Sequence, residues 1–532
     1  MKKWKWMAST VAVALTVGTI GCSNPSTNNA TGTNAPVNSS ETPKAAAETP
    51  KAQQGPTKFS ISLRTLNFDY VEKAVNNLND DKWVKELEKK TNSDLDIRLV
   101  PHAEFEKKMI QMFATGDIPE VVQANASTTG KELAGSVQAG VFLDLTGLLK
   151  QYGPNLMKAI PQAAWDEVTL NGKIYAIPEF ISQPSRRSTW VREDLMKKAG
   201  ITKDPKTVEE YMDMLRSFKK LGVENPFMGR QDFKYADLFF GAYDVYPYSS
   251  QYEVVNGTVQ PKFFDTENME KALQTYKTMF DEGLINKEFA TINPTNFKNI
   301  ILQGKAGMWE MNAQEMLQWQ TQLQQAVPDA KIKIIPSPAG TDGKGGGYLY
   351  SSGARAYFIN AKTPKEKLAG IIKFFDWQVT EEADKWFDLT LPIDPKTDAE
   401  VSEQRYLSGF LHMVKDDAYR KQILGATPAG QELLKTFETI LPNEGRGGLE
   451  FDPALQTMQK NPDIAPLSDT PPPVLLTHMV KMVYGKEPIT DWPKVIEEWK
   501  SKGGNDALKE ANDLFQKKSG FKLRGPEAQK WK

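Results

Sequence analysis

The chain has 532 residues, 40% hydrophobic and 25% charged, enough apolar matter for a sizeable core, so a fibre, a wholly disordered chain and a multi-span membrane protein are excluded. Lys and Arg number 66 against 67 Asp and Glu, a formal charge of −1, which leaves no basic excess for a phosphate backbone and points away from nucleic acid. A single cysteine forbids an internal disulfide and any multi-cysteine metal centre, and three histidines (His102, His412, His478) fit a zinc enzyme poorly.

Lys2, Lys3 and Lys5 precede an uncharged run from Met7 to Ile20. That run is short for about 30 Å of hydrocarbon but suits a signal-peptide core. It ends in Thr19-Ile20-Gly21-Cys22, which resembles a bacterial lipobox; the other reading is an ordinary secretory signal with a chance cysteine. A signal peptide over 1–21 and lipidation at Cys22 are expected, and losing the three lysines would take the charge from −1 to −4. Residues 22–57 are rich in Asn, Thr, Ser, Ala, Pro and Lys and lack aromatics, so they cannot bury enough apolar surface to offset chain entropy. They read as a tether holding a folded body at the extracytoplasmic face of the cell membrane.

Residues 58–66 alternate apolar and polar, as a half-buried strand does. A helix over 80–90 carries Trp83, Val84 and Leu87 at helical spacing. A strand over 95–100, a helix over 105–113 and a strand opening at Val121-Val122 follow. Thr207 and Glu210 form a capping box ahead of Tyr211, Met214, Leu215 and Phe218, and Gly222 supplies a left-handed stop. Strands over 188–191, 307–311, 331–335 and 354–359 lie between such helices. Thr363-Pro364-Lys365-Glu366 repeats the box with Pro at the first helical position. Trp492 to Phe515 gives two packing helices. This alternation predicts α/β layers with mainly parallel sheets.

FATGDIPEVV (113–122), GVFLDLT (140–146), GKIYAIP (172–178), WVREDLMKKAG (190–200) and GKAGM (304–308) occur in that order. Together they resemble segments of extracellular solute-binding protein family 1, the lipoprotein components of bacterial ABC carbohydrate importers. Glu120 stands where Asp is commoner and Arg192 where Asn is frequent. The helices over 491–517 look like those of the large Gram-positive branch linked to complex polysaccharides, and the resemblance spans about 58–518. It implies an α/β fold of the periplasmic-binding-protein-like type II, with two lobes, a hinge and a ligand cleft between them. Lobe 1 would hold 58–177 and 356–395, lobe 2 would hold 178–355 and 396–532, and the crossings would lie at 176–179, 349–355 and near 391–396.

A sugar site needs aromatic platforms for C–H faces and polar groups for hydroxyls, in a concave groove beyond strand ends. By the resemblance, Asn67 and Asp69 follow the first strand at a ligand loop, although Asn and Asp also favour turns. Asn125 and Ser127 occupy another such position, with a helix cap as the alternative. Glu179 sits at the hinge, and Asp232 and Tyr235 lie where the second lobe offers a carboxylate and a ring. Tyr243 belongs to a tyrosine-rich stretch, GAYDVYPYSS, that reads as a groove wall. Trp309, Glu310 and Asn312 follow the GKAGM turn, although neighbours on a strand face opposite sides. Tyr350 follows three glycines. Trp165, Trp319 and Trp386 read as core. Lys344 among glycines lacks P-loop spacing; no EF-hand series, G-x-S-x-G elbow or HExxH helix is present.

The leading expectation is a substrate-binding lipoprotein, without catalysis or cofactor, that hands an oligosaccharide to ABC permease and ATPase subunits as a monomer. A surface glycoside hydrolase or lyase remains open, because two carboxylates in a sugar groove would serve acid/base chemistry. So does a peptide-binding or sensory lipoprotein of the same fold.

Overall fold

Among the described residues, sixteen strands with helices between most of them follow from the pattern of buried residues. The computed structural model describes residues 55–65, 77–101, 104–128, 130–133, 135–181, 187–387, 407, 411–415, 428–452, 454–466 and 469–531. The signal and lipidation expectations, residues 22–54 of the expected tether, Asn67, Asp69 and the stretch 391–396 lie outside them, while Thr57, the last residue of that tether, already belongs to the first strand.

In chain order the first strands are β1 (Thr57–Arg64), β2 (Ser93–Val100) and β3 (Val121–Asn125), then a hairpin of β4 (Thr169–Leu170) and β5 (Lys173–Ile174), then β6 (Ala176–Ile181). Next come β7 (Arg187–Arg192), β8 (Asn225–Phe227), β9 (Tyr252–Val255), β10 (Thr258–Pro261), β11 (Ala306–Asn312) and β12 (Ile332–Ile335). The last are β13 (Gly353–Ile359), β14 (Val414–Lys415), β15 (Gly448–Phe451) and β16 (Phe521–Arg524). Phe59, Ile61 and Leu63 alternate into the core from β1, as the sequence pattern requires. The Asp81 side chain accepts from the backbone of Trp83 and Val84 and starts the helix Lys82–Thr91. The capping box of Thr207 and Glu210 is formed. The second box is not: Pro364 is the cap residue and makes no side-chain bond, while Thr363 reaches the Glu120 carbonyl at 3.5 Å.

Lobe 1 is a six-stranded sheet in the order β14-β6-β13-β3-β1-β2, and lobe 2 is built on β12-β7-β11-β8 with a further sheet β10-β9-β15-β16. One hydrophobic core runs from Phe59 to Met413 in lobe 1, and two contiguous cores fill lobe 2. The sheets are mixed rather than mainly parallel. β1, β2 and β3 are parallel, but β13 runs antiparallel to both β3 and β6, because the chain re-enters lobe 1 from lobe 2 through the edge where β6 left it.

The first and third crossings sit later than the sequence suggests. Residues 176–179 are inside a lobe 1 strand, so the first crossing follows Ile181 and ends at Arg187. The second lies within 349–355, since Tyr348 and Tyr350 pack on lobe 2 and Gly353 opens β13. A Cβ on Gly353 would come within 2.5 Å of Ala126 Cβ, which explains the glycine there. The third runs between Lys415 and the helix Pro428–Thr439, whose Leu433 and Phe437 join a lobe 2 core. Leu407, Leu411 and Met413 belong to the lobe 1 core, so lobe 1 extends past residue 395.

Candidate ligand cleft

Register fixes which strand ends face the seam. In lobe 1, Arg355 pairs with Asn125 and Gly353 with Phe180, so the ends of β3 and β6 and the start of β13 share one edge, with Arg64 beside them on β1. In lobe 2, Arg187 pairs with Asn312, and β8 runs parallel to β11 toward the same end. Because Ile181 leads to Arg187, these two edges are joined by the first crossing and face each other.

The lobe 1 edge is held by a buried ion pair, Arg355 Nε donating to Glu179 Oε2 at 2.7 Å. Beside it, Asn125 N donates to the Glu132 carboxylate at 3.0 Å, and burial pushes that carboxyl above the usual range. The lobe 2 edge centres on Arg187, which is 1% exposed and bonded to Asp237 and, at 2.7 Å, to Asp469. Tyr248 Oη donates to Asp237 at 2.7 Å, Tyr350 Oη to Asp469 at 2.9 Å, and Lys234 reaches Asp469 at 3.1 Å. Burial works against the Asp469 charge, but Arg187 and Lys234 hold its carboxyl below the usual range. The guanidiniums of Arg187 and Arg230 lie 4.7 and 5.2 Å from the centre of the Tyr235 ring, whose hydroxyl meets Asn312. Asp232, Phe233 and Tyr235 all have left-handed backbones, with φ of 61, 54 and 53°. Each costs on the order of 1–3 kcal/mol for a non-glycine residue, strain that concentrates at functional sites.

Tyr350 also lines a cleft of about 1430 Å³ between the lobes. Asp166 and Glu167 of the helix Gln162–Glu167 form its lobe 1 wall, and the opposite wall carries the half-buried rings of Phe515, Phe521 and Trp531. Glu167 bonds Lys522 at 2.7 Å and Arg524 at 2.8 Å, and Ser127 lies 3.5 Å from Asp452, so side chains bridge the lobes beside the cleft. Burial alone would raise the Glu167 carboxyl, yet Arg524 and Lys522 hold it below the usual range. Aromatic rings facing charged and amide groups across such a volume suit a ligand with apolar faces and many hydroxyls.

The structure gathers Asn125, Ser127, Glu179, Tyr235, Asn312 and Tyr350 at the seam, with Asp232 in the strained loop beside Tyr235. Tyr243 stands apart on a pocket of about 210 Å³ with Asp244, Lys262 and Arg446. Trp309 is 0% exposed and packs 6.0 Å from Trp190 in the lobe 2 core, so the expected stacking platform has no open face. Glu310 is equally enclosed. Its carboxylate accepts from the backbone N–H groups of Asp237 and Leu238 at 2.6 and 3.0 Å and is pushed up by burial and by Asp237. Both faces of β11 are covered, which removes the choice that strand alternation normally offers. Gly347 serves close packing, since a Cβ there would lie 2.9 Å from Arg187 Cβ. Sequence reasoning missed Arg64, Arg187, Arg230, Glu167, Asp469 and the C-terminal rings. Among the described residues there is no cluster of three or more His, Cys, Asp or Glu able to hold a metal ion, and no helix long and apolar enough to cross a membrane.

The family model for bacterial extracellular solute-binding proteins matches residues 77–385. The polygalacturonan/rhamnogalacturonan-binding protein YtcQ of Bacillus subtilis is 26% identical over 82% of this chain and 88% of its own. Lipoprotein LipO of the same organism is 25% identical over 81% and 88%. The structure of the S. pneumoniae ABC-transporter substrate-binding protein FusA in complex with kestose superposes with a TM-score of 0.62 at 16% identity, covering 87% of this chain and all of that one.

Proposed function

This chain belongs to the bacterial extracellular solute-binding protein family, and from that premise we propose that it captures an oligosaccharide between its two lobes and delivers it intact to an ABC permease. The observation that carries the reading is the cleft of about 1430 Å³ between two lobes, walled by Tyr350, Phe521 and Trp531 on one side and by acidic side chains on the other. A sugar touching both walls stabilises whichever arrangement brings them together, and it can shift the lobes only by its difference in affinity for the two arrangements. The closed surface is then what the permease and its ATPase partners recognise. Relatives named for polysaccharide and lipoprotein roles support both the ligand class and a lipid anchor on Cys22, which would keep the protein at the outer face of the membrane. The ligand is bound and released without chemistry.

A thermal-shift screen of the purified protein against plant and microbial oligosaccharides tests this, with the recovered ligand weighed by mass spectrometry. A sugar present at about 100 times its dissociation constant adds about 2.7 kcal/mol of stability. A shift with the sugar intact is the expected result. A shortened sugar would make the protein an enzyme, and a shift with peptides alone would overturn the ligand class.

A further inference from the structure

Two guanidiniums at the seam stand out by what they lack. Every other arginine among the described residues has an ion-pair partner. Arg64, at the end of β1, has none; it makes one long hydrogen bond to Asn125 Oδ1 at 3.4 Å and lies over the Phe105 ring at 4.4 Å. Arg230, just beyond β8, lies against the Tyr235 and Phe297 rings, at 5.2 and 6.0 Å, and has no ion pair among the described residues. In both, Nε is buried without a hydrogen-bond partner among the described residues. Burial lowers the proton affinity of both groups, and the carboxylates that act on them from a distance, Glu132 on Arg64 and Asp469 and Asp232 on Arg230, do not make up the loss. An uncompensated buried N–H is costly; Arg187 Nε also lacks a partner, but its guanidinium is neutralised by Asp237 and Asp469, so the two cations with neither an Nε partner nor an ion pair are the ones that require an explanation. The edges are matched: each carries one buried, paired arginine (Arg355 with Glu179, Arg187 with Asp237) and one unpaired arginine beside it. Arg230 also leads into the strained turn of Asp232, Phe233 and Tyr235.

Resting on the oligosaccharide reading above, we propose that the ligand is an acidic sugar chain, a hexuronate oligomer, with one carboxylate held by Arg64 in lobe 1 and another by Arg230 in lobe 2. The planar fork of a guanidinium matches a carboxylate, and the charge-assisted bonds would satisfy both orphaned Nε–H groups. Because the two carboxylates belong to one chain and the two arginines to different lobes, the charge pattern itself favours closure. A neutral sugar held at the seam would leave both cations unpaired.

The test is calorimetric titration of the purified protein with tetragalacturonate and tetramannuronate, each against its carboxyl-reduced counterpart of the same length. At least one uronate should bind ten-fold or more tightly than its reduced form, and the difference should shrink with added salt. Arg64→Gln and Arg230→Gln should each weaken uronate binding by about ten-fold or more. Arg230→Lys, which keeps the charge without the fork, should fall between. Circular dichroism and thermal unfolding of each variant guard against simple misfolding. Equal binding of the reduced sugar, or full uronate affinity in both folded Gln variants, overturns the proposal while leaving oligosaccharide capture in place. Binding of no sugar of either kind in this titration and in the wider screen overturns both.

Discussion

The two facing edges share one plan and differ in one respect. Each has a buried arginine–carboxylate pair flanked by an unpaired guanidinium. The lobe 1 edge sets Arg64 over the buried Phe105 ring, whereas the lobe 2 edge adds tyrosines, with Tyr235 under two guanidiniums and Tyr350 and Tyr248 bonded to the carboxylates of Asp469 and Asp237. Lobe 1 offers amide and charge with its ring buried; lobe 2 offers these and amphipathic tyrosines. The difference teaches a division of labour. Lobe 2 can hold a sugar by both its faces and its hydroxyls, whereas lobe 1 supplies polar contacts that matter once the lobes meet.

The comparison breaks most severely at Arg187. Replacing it with Ala leaves Asp237 and Asp469 without their main partner, and about 3–5 kcal/mol of stability should be lost in urea unfolding. Arg355→Ala, on the lobe 1 edge with a single carboxylate, should cost less. Trp309→Ala should also cost about 3–5 kcal/mol of stability, because the ring fills the core beside Trp190. The conservative Trp309→Phe should retain ligand affinity, which a stacking platform would not allow so readily.

Smaller effects sharpen the account at the cleft. Glu167 is held below the usual carboxylate range by Arg524 and Lys522 after overcoming the opposing effect of burial. A depressed carboxyl contributes stability above its unfolded-state value and loses it as pH falls through the folded value. Acid should therefore weaken the bridge between the lobes, and Glu167→Gln should flatten that part of the stability curve while costing about 1.5–3 kcal/mol at neutral pH. Tyr350→Ala should weaken sugar binding by about 0.5–1.5 kcal/mol in calorimetry, the size of a single aromatic contact.

Much of the fold is legible in the sequence because its signals are local. The alternation of β1, the Asp81 cap and the Thr207–Glu210 box each appear where the residues require them. The site is less legible, for two reasons. Strand alternation identifies an exposed face only when a sheet has one, and β11 buries both, which hid the true setting of Trp309 and Glu310. Long-range pairing is the other reason. β16 joins β15 some seventy positions earlier, so nothing near Phe521 or Arg524 announces that they wall the cleft. Likewise Arg64 and Arg230 are ordinary arginines until the structure shows that no carboxylate among the described residues pairs with them.

The central claim is that a sugar is held between two lobes that move together around it. Small-angle X-ray scattering of the purified protein, with and without a sugar identified by the thermal screen, addresses it most directly. The account predicts a smaller radius of gyration at saturating ligand, with the sugar recovered intact. Saturation with no change in the scattering curve would contradict it, since the ligand would then make no difference to how the lobes sit.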